Sequence, residues 1–323
     1  MKRDIFELKD KSILITGGAG FIGSHLVEAL LAENEITVLD NFSSGKRKFL
    51  ALHHNNANFR LIEADLLLPG APEKALNGVD MVFHLAANPD VKLGAENTRV
   101  HLEQNVLATY NLLEAMRKCD VKRIAFTSTS TVYGEAAEVP TPESYGPLLP
   151  ISLYGASKLA CEALISSYCH TFEMQSWIYR FANIVGERGT HGVLVDFIRK
   201  LRENPQELEI LGSGKQKKSY LEVRDCVRAM RRCVEHSDEQ INVFNIGSED
   251  SVDVVEIANI VAEQMGLDDV LYRYTGGVDG RGWKGDVKVM QLSIEKIKKL
   301  RWAPQGGSAK AVEMAVKALQ KDI

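Results

Sequence analysis

A tyrosine and a lysine four residues apart, separated only by glycine, alanine and serine, make up the stretch "YGASK" at 154–158. On a helix, positions i and i+4 share a face, so Tyr154 and Lys158 would point the same way. An ammonium beside a phenol favours the phenolate and lowers its pKa of about 10 toward working pH. The pair could then act as a general base toward an alcohol proton. In isolation the same spacing is also that of an exposed tyrosine and lysine on an amphipathic helix. Within "LYGASKLACEALISSY" the residues Leu159, Ala163, Leu164 and Tyr168 form the expected core-facing stripe.

A general base for an alcohol needs a hydride acceptor beside it, and the N-terminal stretch "ILITGGAGFIGSHL" offers a place for one. Gly17, Gly20 and Gly23 stand between an apolar run and a helical pattern, and Gly18, Gly20 and Gly23 also fit G-x-G-x-x-G. Glycines suit a tight strand-to-helix turn approached closely by a pyrophosphate, with the helix N-terminus turned to the phosphates. Asp40 closes the next apolar run, where its carboxylate can accept both hydroxyls of an adenosine ribose and repel a 2′-phosphate. NAD is therefore favoured over NADP, although Lys46 and Arg47 are basic residues of the kind that capture a 2′-phosphate. A glycine-rich turn without a ligand is the plainer alternative, and the strand, helix and acid in sequence speak against it.

The elements around these residues alternate. "SILIT" (12–16), "EITVLD" (35–40), "NFRLIEAD" (58–65), "VDMVFHLAA" (79–87) and "VKRIAFTSTS" (121–130) read as buried strands, with helical patterns at 24–32 and 105–118 among them. This rhythm predicts an α/β fold, a Rossmann-type doubly wound parallel sheet. It breaks near Tyr179, after which glycine-rich turns separate short helices and strands. The expected division is a dinucleotide-binding lobe over 1–178, with segments returning near 219–250, and a smaller mixed α/β lobe over most of 179–323. The 323 residues suffice for both. With 39 basic against 43 acidic residues and no single-sign block, nucleic-acid binding is not indicated. Five cysteines without C-x-x-C spacing read as reduced thiols, and no metal-ligand set is present. No signal-like or spanning segment occurs, so a cytoplasmic, membrane-free protein is expected.

Taken in order, "TGGAGFIGSHL", "LDNFSSG", "EADL", "HLAA", "TSTSTVYGE", "YGASK", "RFANIVGERG", "GSGKQKKSYLEVRD" and "GDV" resemble the extended short-chain dehydrogenase/reductase family, in particular its nucleotide-sugar epimerases of UDP-galactose 4-epimerase type. The resemblance implies an NAD-dependent 4-epimerase acting on a UDP-sugar through a transient 4-keto sugar, with UDP-glucose and UDP-galactose the first pair to consider. It places Gly17, Gly20, Phe21, Ile22, Gly23, Asp40, Asn41, Ser43 and Gly45 along the cofactor. Asp65 and Leu66 would flank the adenine, and Leu85, Ala86 and Ala87 would line the cofactor backbone. Asn105 would support the strand ends, Ser128 would touch the nicotinamide side, and Thr129 would hydrogen-bond the sugar O4. Thr129 could equally be an ordinary polar strand end. After that threonine, related dehydratases carry an Asp-Glu pair and related decarboxylases a glutamate. Ser130 and Thr131 stand there instead, which fits epimerisation.

For the substrate, the resemblance implies Asn183 against the nucleotide diphosphate, Val193 at the start of the uracil-covering segment, and Asn88 bordering the sugar. Lys218 occupies a position where the family has an arginine; it can neutralise a phosphate but not grip it bidentately. Arg281 is the second diphosphate candidate. The run "KQKK" could also be a solvated basic turn, and His84 a satisfied core residue. A homodimer through helices near Glu96–Lys118 and Leu153–Cys169 is expected by analogy. Alternatives are an epimerase for N-acetylated or uronic sugars, a 4-keto-sugar reductase, and a non-catalytic dinucleotide sensor.

Overall fold

A computed structural model describes residues 5–277 and 279–322. By internal packing the chain divides into two units: 1–132, 153–180 and 227–244 form the first, and 133–152, 181–226 and 245–323 the second.

The first unit is built on a sheet whose central strands are apolar and buried on both faces, as parallel strands under helices are, while the edge strand at Phe59–Glu63 is partly exposed. The strands are β1 (Ser12–Thr16), β2 (Glu35–Asp40), β3 (Phe59–Glu63), β4 (Met81–His84), β5 (Arg123–Thr129), β6 (Gln175–Phe181) and β7 (Ile241–Ile246). Their order across the sheet is β7-β6-β5-β4-β1-β2-β3, and β1–β2, β2–β3, β1–β4 and β4–β5 pair in parallel. The order reverses at β1, which places the ends of β1 and β4 at the topological switch point where such sheets bind ligands. Helices α1 (Phe21–Leu31), α2 (Ala108–Lys118) and α3 (Leu153–Phe172) pack on it. Leu14, Val82, Phe126, Leu112, Met116, Ile165 and Ile178 belong to one buried cluster of this unit. The expected Rossmann-type parallel sheet is thus the fold.

Ahead of α2 the helix begins at Arg99 and passes through a π-helical stretch, Leu102–Leu107. The periodicity gave no sign of this extra residue per turn. Helix α3 differs from expectation in which side it buries. The predicted stripe of Leu159, Ala163, Leu164 and Tyr168 is only partly buried, and Ala163 is exposed. The buried side instead carries Gly155, Ser157, Lys158, Cys161, Glu162, Ile165 and Cys169. Two ionisable groups are accommodated there because each finds partners, described below.

The second unit has its own core, where Ile198 and Leu201 of helix Val193–Glu203 meet Ile257 and Val261 of helix Val254–Gln264 and Val312 and Val316 of helix Ser308–Asp322. Its strands form small sheets of two or three, among them Tyr220–Glu222 beside Asn183–Val185 and Leu271–Thr275 beside Glu207–Leu211. Among the described residues no helix is long and apolar enough to cross a membrane.

Candidate active site

The turn between β1 and α1 needs its glycines. Gly17 has φ +71°, and a Cβ there would lie 2.7 Å from the Ala86 backbone nitrogen. A Cβ on Gly23 would come 2.2 Å from the Gly17 carbonyl oxygen, so only hydrogen lets the helix close on the strand. Helix α1 starts at Gly20 without a side-chain cap and without an acidic residue in its first turn. Its first N–H groups and positive dipole end are therefore left to an anion.

Asp40 is buried at the end of β2 and holds this turn: its carboxylate accepts from the N–H of Ala19 at 2.9 Å and of Phe42 at 2.8 Å. Burial raises its pKa, and the two N–H groups oppose that rise. Two N–H contacts leave the carboxylate further lone pairs for hydroxyl donors. Beyond it, Asn41 donates to Asp65 (2.8 Å) and accepts from the Ser43 N–H (3.0 Å), and Asp65 accepts from the Leu67 N–H (2.8 Å). The Leu66 carbonyl accepts from Asn111. Arg47 pairs with Glu63 at 2.5 Å and lies over the Phe42 ring, which engages the base that could have drawn a 2′-phosphate. Gly45 packs against Ala19 and Asp40. The glycine turn, its open helix end and the ribose-facing acid fit NAD.

From the switch point a continuous set of buried hydrogen bonds runs to the helix bearing Tyr154. The Ala86 N–H donates to the Thr16 hydroxyl (3.3 Å), which meets His84 Nδ1 (2.7 Å). On the other side of the ring, His84 Nε2 meets the Thr109 hydroxyl (2.9 Å), which donates to the Asn105 carbonyl (2.7 Å). With that proton committed, His84 must donate from Nε2 and accept at Nδ1. Complete burial pulls its pKa down to about 3, so it is neutral. The Asn105 side chain accepts from the Asn88 N–H (2.8 Å) and donates to Ser157 (2.9 Å), which donates to the Tyr154 carbonyl (2.7 Å). Leu85 lies between them, its N–H on the Thr16 carbonyl, with Ala87 following Ala86. Within the π-helical stretch the Asn105 carbonyl accepts from the Ala108 N–H as well as from Thr109 and the Cys161 thiol (3.4 Å).

Tyr154 and Lys158 lie one turn apart on α3, with the ammonium 6.0 Å from the phenol ring centre. Lys158 is buried and donates to the Thr127 carbonyl at 2.8 Å, while its charge sits 4.8 Å from the centre of the Phe126 ring. Burial pulls Lys158 down to about 8. Burial also pushes the Tyr154 phenol up, opposite to the expected lowering. Both groups are thus driven toward their neutral forms by desolvation.

At the end of β5, Thr129 meets Thr131, hydroxyl to hydroxyl at 3.1 Å, and accepts from the Thr131 N–H at 3.1 Å. Ser128 is turned elsewhere: its hydroxyl donates to the buried carboxylate of Glu162. Glu162 and its partner Arg180 were not picked out from the sequence.

The remaining candidates lie in the second unit. Asn183 donates from its side chain to the Ser219 carbonyl (3.3 Å), and Val193 opens a helix behind Gly192. Lys218 is not a solvated basic turn: its ammonium pairs with buried Asp286 at 2.5 Å and stands 5.3 Å from the centre of the Trp283 ring. Arg281 donates to the Asp286 carbonyl (2.6 Å) and grips Glu135 through both terminal nitrogens (2.6 and 2.8 Å). The Arg281 guanidinium holds the Glu135 carboxyl below its ordinary range.

A model of the NAD dependent epimerase/dehydratase family matches residues 13–247. A crystal structure of a UDP-galactose 4-epimerase is 42% identical, covers 97% of this chain and 99% of its own, and has a TM-score of 0.86. The UDP-N-acetylglucosamine 4-epimerase of Methanobrevibacter ruminantium, solved with UDP-N-acetylmuramic acid, is 30% identical over 98% of this chain and 100% of its own, with a TM-score of 0.86. The UDP-glucose 4-epimerase of Thermus thermophilus, solved with NAD, is 30% identical over 97% and 100%, with a TM-score of 0.85.

Proposed function

From the premise that this chain belongs to the NAD-dependent epimerase/dehydratase family of nucleotide-sugar enzymes, we propose that it is a UDP-sugar 4-epimerase interconverting UDP-glucose and UDP-galactose. The observation that carries the reading is the junction of α3 and β5. Tyr154 and Lys158 share one helix face, Lys158 is bonded to β5, and Thr129 is followed by Ser130 and Thr131, which have no carboxyl group. Epimerisation at C4 asks only for one proton and one hydride to leave and return.

NAD, when bound, supplies the reversible hydride acceptor. Gly17, Gly20 and Gly23 would admit its pyrophosphate and Asp40 its ribose hydroxyls. Tyr154 would take the proton of the sugar 4-hydroxyl and later return it. Lys158 would hold positive charge beside the phenol, offsetting the desolvation that raises it. The Thr129 hydroxyl can donate to a developing keto oxygen and accept from an alcohol. Asn183, Lys218 and Arg281 would hold the nucleotide diphosphate, Val193 would open the segment covering the uracil, and Asn88 would border the sugar. The partly exposed side of α3, with Leu153, Ala163 and Leu164, together with Leu102 and Tyr110 would serve a homodimer.

Replacing Tyr154 by Phe is expected to lower turnover of UDP-galactose by about a thousandfold, in the range of a lost general base, with NAD retained on the protein. Undiminished turnover would end the assignment. The similarity to a UDP-N-acetylglucosamine 4-epimerase supports a second reading, in which the sugar is N-acetylated. Equilibrating the protein with each UDP-sugar and scoring the C4 epimer decides between them.

A further inference from the structure

Helix α3 continues its row of ionisable groups one turn past Lys158, to Glu162. This carboxylate is buried, and burying an ion is costly unless it is well paired. It is gripped on both oxygens. Arg180 of β6 donates to Oε1 from Nε (3.1 Å) and to Oε2 from Nη2 (2.7 Å), and the Ser128 hydroxyl donates to Oε1. Two successive residues of β5 are therefore bolted to one helix face, Thr127 through Lys158 and Ser128 through Glu162. Thr129 is the next residue.

We infer that Glu162, held by Arg180, is a positioning residue for the Tyr154–Lys158 pair: its carboxylate supports the lysine's charge from one helical turn away and fixes the register in which Thr129 leaves β5. The inference rests on the reading of Tyr154 and Lys158 as the acid–base pair. The ionisable groups around Lys158 leave this task to Glu162. His84 of β4 and His101 have lowered pKa values and are neutral, burial pushes the Cys161 thiol up, and Arg180 is paired with Glu162 itself. Cys161 and Glu162 both pull Lys158 upward, against the burial that brings it down. A neutral thiol exerts no such pull, so the carboxylate remains.

The test compares wild type with Glu162→Gln, Glu162→Asp and the double variant Glu162→Met/Arg180→Met. A buried ion pair replaced by apolar residues of similar volume often keeps or gains stability, so the double variant separates charge from folding. Three quantities are measured: NAD content after purification, the pH profile of kcat/KM, and the ultraviolet titration of tyrosinate with the Tyr154→Phe signal subtracted. In Glu162→Gln the profile's limb and the tyrosinate titration are expected to move together to lower pH by about one unit, because the nearby anion is gone and the Arg180 cation remains. In the double variant, which loses an anion and a cation together, both stay closer to wild type. NAD content stays at the wild-type level, and Glu162→Asp restores the limb. A folded, NAD-loaded Glu162→Gln variant with limb and titration at the wild-type pH overturns the inference. So does failure of all three variants to fold, which would make Glu162 a stability residue alone. If Tyr154→Phe keeps its turnover, the acid–base reading falls, a result read on a different variant.

Discussion

The glycine turn of the first unit and the basic residues of the second are built on opposite plans. Around the turn, the charged side chain is an acid, Asp40, satisfied by backbone N–H groups of Ala19 and Phe42. In the second unit the charged side chains are cations, Lys218 and Arg281, already matched by the carboxylates of Asp286 and Glu135. Backbone partners depend on local chain geometry and so leave a spacing in the sequence. Side-chain partners 68 and 146 residues away leave none. The acid is accordingly held by the chain folded around it, whereas the two cations are held by side chains. A diphosphate arriving at Arg281 would trade places with Glu135, a half-exposed group.

The largest effect that tests this contrast comes from the turn. Gly23→Val puts carbon atoms where the Gly17 carbonyl lies, and the purified protein is expected to carry no NAD or to be insoluble; a soluble, NAD-loaded variant would show that the turn yields. Next, Lys218→Met leaves Asp286 buried without its cation and is expected to cost roughly 3 kcal/mol in denaturant unfolding. An unchanged midpoint with a raised KM would instead make Lys218 a ligand that the fold does not need. Arg281→Lys keeps the charge but loses the fork; KM for the UDP-sugar should rise about tenfold, the equivalent of 1.4 kcal/mol, with the unfolding midpoint little changed. Equal losses of stability in these two variants would erase the distinction between them.

A pH dependence is expected within the first unit. His84 has a folded pKa of about 3 against an ordinary 6.5, so between these values the unfolded chain binds the extra proton. Its contribution is present in full above pH 6.5 and is lost as pH falls through that window, at a limiting slope of about 1.4 kcal/mol per pH unit. Denaturant unfolding of wild type and His84→Gln between pH 7 and pH 5 should show the shallower slope in the variant. Parallel curves would mean that the histidine is charged in the fold.

Much of the first unit was legible. The apolar runs gave β1 to β5 within a few residues, and the Tyr154–Lys158 spacing and the glycine turn were visible as patterns because local geometry sets them. The inward side of α3 was not legible. Ranking positions by apolarity favours Ala163 over Lys158 and Glu162, yet the two ions are buried because Thr127, Ser128 and Arg180 reach them from other strands. Likewise "KQKK" reads as a solvated turn until Asp286, far along the chain, is brought to Lys218. The role of His84 in linking β1 to α2 is hidden for the same reason: its partners Thr16 and Thr109 are 68 and 25 residues away.

The widened turn at Leu102–Leu107 constrains how this chain can change length. A helix that has absorbed a surplus residue can lose one without breaking, simply by tightening to the ordinary pitch. Such a loss would be taken up within the turn itself, so the side chains on either side would keep their directions relative to one another. Removing exposed Leu107 would thus reshape only the turn that carries Asn105, the residue whose amide meets Ser157 ahead of the tyrosine.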